Sequence, residues 1–249
     1  MTKKEIKKEE KKIEETPENN SGWDFSKTEV TLESMLKSGV HFGHLKSRKN
    51  PKMEKYIFGV KNGINIIDLQ KSLEEFEKAA EFIKEIHKSG KKILFVGTKK
   101  QAKKLVKIAA IECDMPYVTE RWLGGTFTNF GVIRGRAKYL NEAQKQAAED
   151  GFAKYTKLER LKKMEEIERL ERKMGGIKNM TELPAAIVVV DTKEDHLAIE
   201  EARKQGVPVI AIVDTNSDPS KVNYPIPAND DAISSIKLII GAIAKILIK

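Results

Sequence analysis

Three short, nearly unbroken apolar runs restrict what this chain can fold into more than any other feature: Ile93–Gly97 (ILFVG), Ile187–Asp191 (IVVVD) and Val209–Asp214 (VIAIVD). A strand with one wet face alternates apolar and polar residues, whereas a strand apolar at every position is buried on both faces. Amphipathic stretches at helical spacing lie between and after these runs, over residues 99–113, 194–205 and 230–248. Such strands alternating with helices predict an α/β fold, a doubly wound and mainly parallel sheet of Rossmann or flavodoxin type with helices on both faces. A hydrophobic share of 40% in 249 residues is enough for one such core.

The flanking segments read differently. Thr31 is a candidate N-cap for a short helix Leu32–Lys37, which Gly39 stops. After a basic loop, Asn62-Gly63 sits between the apolar runs 56–60 and 64–68, the pattern of a β-hairpin. Leu73, Phe76, Ala80, Ile83 and Ile86 then recur at helical spacing over 72–88, and a short strand is expected at Tyr117–Val118. Residues 133–174 are charged throughout and largely lack strand formers. Arg134–Glu149 reads as one helix, Asp150-Gly151 as a turn and Thr156–Met174 as a second helix, opened by a Thr156/Glu159 capping box and closed by Gly175-Gly176. Leu158, Leu161, Met164, Ile167, Leu170 and Met174 form a narrow stripe suited to one partner helix, which predicts a protruding two-helix coiled-coil hairpin. The expected organisation is a disordered charged tail over 1–27, an α/β domain over 28–130 and 177–249, and the hairpin inserted over 131–176. The tail reading rests on residues 1–22, which hold six lysines, six glutamates and almost no apolar content to offset ordering entropy.

Charge is concentrated rather than spread. The net is +9, yet residues 37–61 alone carry +6 and residues 88–107 carry +8 with no acid, leaving the other segments at −5. Two basic islands on an otherwise slightly acidic chain point to a polyanionic partner more strongly than the total does; a solvated lysine-rich surface is the competing explanation. A single cysteine, Cys113, excludes an intramolecular disulfide and fits a reducing compartment. The apolar stretch 233–248 is interrupted by Ser234, Ser235, Lys237 and Lys245, too broken to span a bilayer. A soluble, intracellular chain with no membrane partner is expected, and no secretory leader is visible.

The string Met35-Leu-Lys-Ser-Gly-Val-His-Phe-Gly-His44, with Asn50-Pro51-Lys52-Met53, Ile57-Phe58-Gly59 and Ile66-Ile67-Asp68-Leu69, resembles the small-subunit ribosomal protein two family. Later blocks agree in order: Phe95-Val-Gly-Thr-Lys99, Arg121-Trp-Leu-Gly-Gly125 with Thr128-Asn129, Gly175-Gly176-Ile177-Lys178, Pro184 through Asp191, Gly206-Val-Pro208, and Ala211 through Pro219. Residues 30–247 are covered, in the form with a long helical insertion that looks bacterial or organellar. The resemblance implies a non-enzymatic constituent of the small ribosomal subunit. It implies binding to ribosomal RNA and to neighbouring small-subunit proteins, and in many bacteria a part in docking the large messenger-binding protein one. The charged extension before Thr31 lies outside it.

The residues themselves fit such a partner. Basic loops free of acids suit phosphate contacts, and in the first island His41, Phe42 and His44 alternate with Lys46, Arg48, Lys49 and Lys52, so rings could stack on unpaired bases. In the second, Lys99, Lys100 and Lys103 fall at an expected helix start. Gly124 and Gly125, flanked by Arg121, Trp122 and Asn129 with Arg134 beyond, would let an RNA strand approach the backbone. Trp122 reads equally as a packing anchor, and Phe42 reads better as a core residue than as a stacking one. Gly97-Thr98-Lys99-Lys100 lacks both G-x-G-x-x-G and G-x-x-x-x-G-K-[ST], which weakens a nucleotide enzyme as the alternative. A protein adaptor working through the helical hairpin is the third reading. His41 and His44 have no Cys or nearby carboxylate in sequence to complete a zinc shell. Asp191 and Asp214 at strand ends read as turn caps rather than cation ligands. No metal, cofactor, catalytic group or small-molecule substrate is expected.

Overall fold

The computed structural model describes residues 23–149 and 151–248. The expected parallel sheet is present with five strands: β4 (Ile93–Val96), β5 (Tyr117–Val118), β6 (Ala186–Val189), β7 (Val209–Val213) and β8 (Tyr224–Pro227), in the order β5-β4-β6-β7-β8. Every neighbouring pair is parallel. β4, β6 and β7 are buried at every position, because successive side chains feed different cores. Ile93 and Phe95 enter one, with α2 (Leu69–Lys88), α3 (Lys103–Glu112) and α7 (Ile233–Ile248). Leu94 and Val96 enter the other, with α6 (His196–Lys204) and the inner ends of α4 (Phe130–Glu149) and α5 (Lys157–Met174). The chain therefore leaves β4 toward one face and β6 toward the other, and these adjacent strands form the topological switch point of a doubly wound sheet.

A second, three-stranded antiparallel sheet precedes it, ordered β1-β3-β2 from β1 (Phe42–Leu45), β2 (Ile57–Lys61) and β3 (Ile64–Ile67). The Asn62-Gly63 turn has φ of 52° and 77°, the paired positive values of a type I′ hairpin turn. β1 replaces part of the expected basic loop: four residues containing Gly43 and His44 carry no strand periodicity, and pairing with β3 rather than local propensity makes the strand. α1 (Leu32–Lys37) has its expected Thr31 cap, closed reciprocally by Ser34.

Packing also starts before Thr31. Asp24 caps a 3-10 turn at Phe25–Lys27, Phe25 is buried, and Trp23 lies against Gly241, where an added Cβ would come within 2.8 Å of the indole. Residues 23–27 of the expected tail 1–27 are therefore packed on the domain; residues 1–22 lie outside the described ones. α3 starts at Lys103, four residues later than the sequence implied, after turns over 99–102. In the insertion, α5 carries its Thr156/Glu159 capping box, and Asp150 of the expected turn lies outside the described residues. α4 and α5 touch through their inner halves, and Gly176 fixes their root: a Cβ there would meet the Tyr117 carbonyl oxygen at 2.2 Å. The outer part of the expected seam has no partner among the described residues, with Leu158, Leu161 and Met164 exposed at 62%, 57% and 53%.

Candidate nucleic-acid interface

The carboxyl ends of β4, β6, β7 and β8 open onto the switch-point crevice, where folds of this class usually receive ligands. Here the crevice holds a network of the chain's own side chains. Lys99, on the loop after β4, places Nζ 2.7 Å from Asp230, 2.7 Å from Asp231 and 3.3 Å from Asp191, with only 11% of its side chain exposed. Thr98 donates to Asp195 through both N (3.2 Å) and Oγ1 (2.9 Å), tying the loop after β4 to the loop after β6. His44 enters from β1, with Nδ1 3.1 Å from Asp214 and Nε2 3.5 Å from Asp231. The small sheet is docked by Thr215, whose Oγ1 accepts from His44 N (2.9 Å) and whose carbonyl accepts from Asn50 N (2.8 Å). Gly43 is required there, since a Cβ would lie 2.5 Å from the Thr215 methyl.

Crowded carboxylates and one ammonium set the electrostatics. Burial disfavours charge on Lys99, but its carboxylate partners outweigh this and raise its pKa. Burial, with Asp191 and Asp214 nearby, pushes Asp230 up to about 7, and Asp195, buried beside Asp191 and Glu194, rises to about 6. The hydrogen bond to Asp214 raises His44 above its ordinary value of 6.5. Ligand atoms of His44, Asp230 and Asp231 lie within 4.8 Å of one another, but Lys99 already supplies positive charge between the carboxylates. Asp191 is a turn cap, accepting from Lys193 N (2.7 Å) and Glu194 N (3.2 Å), as its position implied.

A second buried anchor is Glu201 of α6. Its carboxylate accepts from Gly125 N (2.7 Å), Phe127 N (2.9 Å), Thr128 N (3.2 Å) and the Trp122 indole (3.3 Å). Burial raises its pKa, and these donors more than reverse the effect, holding it below the ordinary glutamate value. The loop 121–129 is thus folded around a carboxylate from the same chain, and nothing in its sequence announced Glu201, which stands seventy-odd residues away.

The structure accordingly divides the residues expected to face RNA. Lys99 and His44 are withdrawn because the acidic network consumes them, Trp122 because it is 5% exposed and bound to Glu201, and Gly125 because its N–H serves that same carboxylate. Lys49 pairs with Glu54, Lys52 with Asp218 and Lys103 with Glu120. His41 is half-buried and tilted against Phe42 with ring centroids 4.0 Å apart, while Phe42 is 48% exposed and so is not the core residue expected. Lys46, Arg48, Lys100, Arg121 and Arg134 are exposed and without an ion pair among the described residues, and Gly124 and Asn129 are exposed beside them in sequence. Apart from Arg134, on α4, these groups stand on loops at the carboxyl edge of the large sheet or on the small sheet docked there. The second basic island is split by β4: Lys88, Lys91 and Lys92 lie at the opposite, amino edge, with Lys92 bound to Asp114.

A doubly wound α/β protein whose crevice is filled from within, and whose cations line the rim outside it, is built as a scaffold rather than as a nucleotide enzyme. Residues 35–249 match the family described as Ribosomal protein S2. The chain is 50% identical over 222 residues to the small ribosomal subunit protein uS2 of Chlorobaculum tepidum, covering 89% of each chain. It is 52% identical over 215 residues to the protein of the same name from Mycobacterium leprae, covering 86% of this chain and 78% of that one. It belongs to the ribosomal protein S2 family, as its motifs implied, and that family is not one of enzymes. No helix among the described residues is long and apolar enough to cross a membrane.

Proposed function

We propose that this chain is a structural constituent of the cytoplasmic small ribosomal subunit that binds ribosomal RNA along the carboxyl edge of its large sheet. The carrying observation is the set Lys46, Arg48, Lys100 and Arg121, unpaired among the described residues and gathered at one edge by separate loops. Charges from distant sequence positions, on one edge and left unneutralised, suit a phosphate backbone, which supplies affinity without base readout. Family membership supports the same reading. Sedimentation of cell lysate on sucrose gradients at high and low magnesium tests it: the protein should travel with the small subunit after the two subunits separate. Recovery as free protein at the top of the gradient in both conditions would overturn it.

The exposed outer turns of α5 favour protein neighbours as further partners. Leu158, Leu161 and Met164 form an exposed apolar stripe, of the kind an amphipathic segment of another small-subunit protein covers. The messenger-binding protein one implied by the family resemblance is the first candidate to assay there.

A further inference from the structure

We infer that Phe58, on the edge strand of the small sheet, is a stacking platform for an unpaired base of the small-subunit RNA, with Lys61 and Lys46 holding phosphates beside it. The inference rests on the RNA-binding reading above, shares Lys46 with it, and adds Phe58 and Lys61, which that reading does not use. Phe58 is 81% exposed, and no other large apolar side chain among the described residues exceeds 62%. An isolated exposed apolar residue is ordinary, so the local backbone carries the argument. In the β2–β3 ladder Ile57 pairs with Ile67 and Gly59 with Ile66, leaving Phe58 as the extra residue of a β-bulge. Bulges re-aim side chains, and this one turns the ring out of the sheet.

The surroundings fit a nucleotide. A Cβ added to Gly59 would meet nothing within 4 Å, so the fold does not need glycine there, and the bare backbone leaves room beside the ring. The Asn62-Gly63 turn brings two cations together at the end of the sheet: Lys61 ends β2, and Lys46 N donates to Gly63 O at 2.8 Å. Both are exposed and unpaired among the described residues, and the acid of this region, Glu54, is already bound to Lys49. An aromatic plane with neighbouring cations is the arrangement by which proteins hold single-stranded RNA. A protein strand adding to the edge of β2 is the other occupant to weigh. The bulge interrupts the edge such a strand would need, and the positive charge favours a polyanion.

The test is the affinity of the full chain for a transcript of small-subunit ribosomal RNA, measured over a salt series. Phe58→Ala should bind about tenfold more weakly with the salt dependence unchanged, since no phosphate contact is lost. Phe58→Trp should keep the affinity and show quenching on RNA beyond that of Trp23 and Trp122 in the parent chain. Changing Lys46 and Lys61 together to Ala should lower the salt slope by about two. If the parent chain binds the transcript and Phe58→Ala binds equally well, stacking is wrong while the RNA reading survives. Equal RNA affinity with poorer incorporation into reconstituted subunits would assign the ring to a protein neighbour and also overturn the proposal. A parent chain with no salt-dependent RNA binding would remove the underlying reading first.

Discussion

At the scale of single residues, Lys99 controls most of what lies beneath the strand ends. Its ammonium offsets the crowding of Asp191, Asp230 and Asp231, and removing it leaves the buried Asp191 and Asp230 without their counter-charge. Lys99→Met should destabilise the fold by about 3–5 kcal/mol in urea unfolding at neutral pH, the usual result of breaking a buried pair from one side. Asp230, which burial already pushes up, would then take up a proton more readily folded than unfolded, so the variant should regain part of the loss as pH falls from 7 to 5. Unchanged stability at pH 7 would show that the network contributes nothing. His44 gives a separate pH signature. Its pKa is raised by Asp214 in the folded state, so its contribution is fully present below its unfolded value near 6.5 and lost as pH rises through the folded one. Stability of the parent chain should therefore decline from pH 6.5 upward by an amount that His44→Gln does not show. Identical pH profiles would remove His44 from the network's energetics.

At the scale of elements, α5 is the one whose two halves differ. Its inner residues Met174, Leu170 and Ile167 pack on the second core, while Leu158, Leu161 and Met164 face outward. Deleting the whole insertion would open that core, because Ile133 and Leu140 of α4 belong to it as well. Substituting Leu158, Leu161 and Met164 with Ser is the cleaner change. It should shift stability by less than about 1 kcal/mol while reducing co-purification of neighbouring small-subunit proteins, and equal recovery would leave the stripe without a partner. Helix and strand positions here were largely legible. ILFVG, IVVVD and VIAIVD announced buried parallel strands, Asn62-Gly63 announced the hairpin, and Thr156 with Glu159 announced a helix start. β1 and β8 were not legible, because Phe42–Leu45 and the proline-containing Tyr224–Pro227 become strands only by pairing with distant chain. The start of α3 was misplaced for a related reason: Lys99 satisfies tertiary partners rather than a helix terminus.

At the scale of the whole molecule, the two basic islands become one edge and one remote patch. Six exposed cations unpaired among the described residues, Lys46, Arg48, Lys61, Lys100, Arg121 and Arg134, predict that the logarithm of RNA affinity falls with the logarithm of salt with a slope of about −5. Changing Lys46, Arg48 and Arg121 to Ala should reduce that slope by about three without altering the melting temperature; a flat salt response in the parent chain would refute a phosphate-dominated interface. Sequence showed that these islands were basic but not which lysines were free. Pairing with Glu54, Asp218 and Glu120, and the recruitment of Trp122 and Gly125 by Glu201, are tertiary events between residues far apart in the chain or masked by loop geometry. The crevice filled by Lys99 has a further consequence. Folds of this class commonly seat metabolites such as ATP at that position, and a chain that has plugged the seat with its own ammonium offers them no foothold.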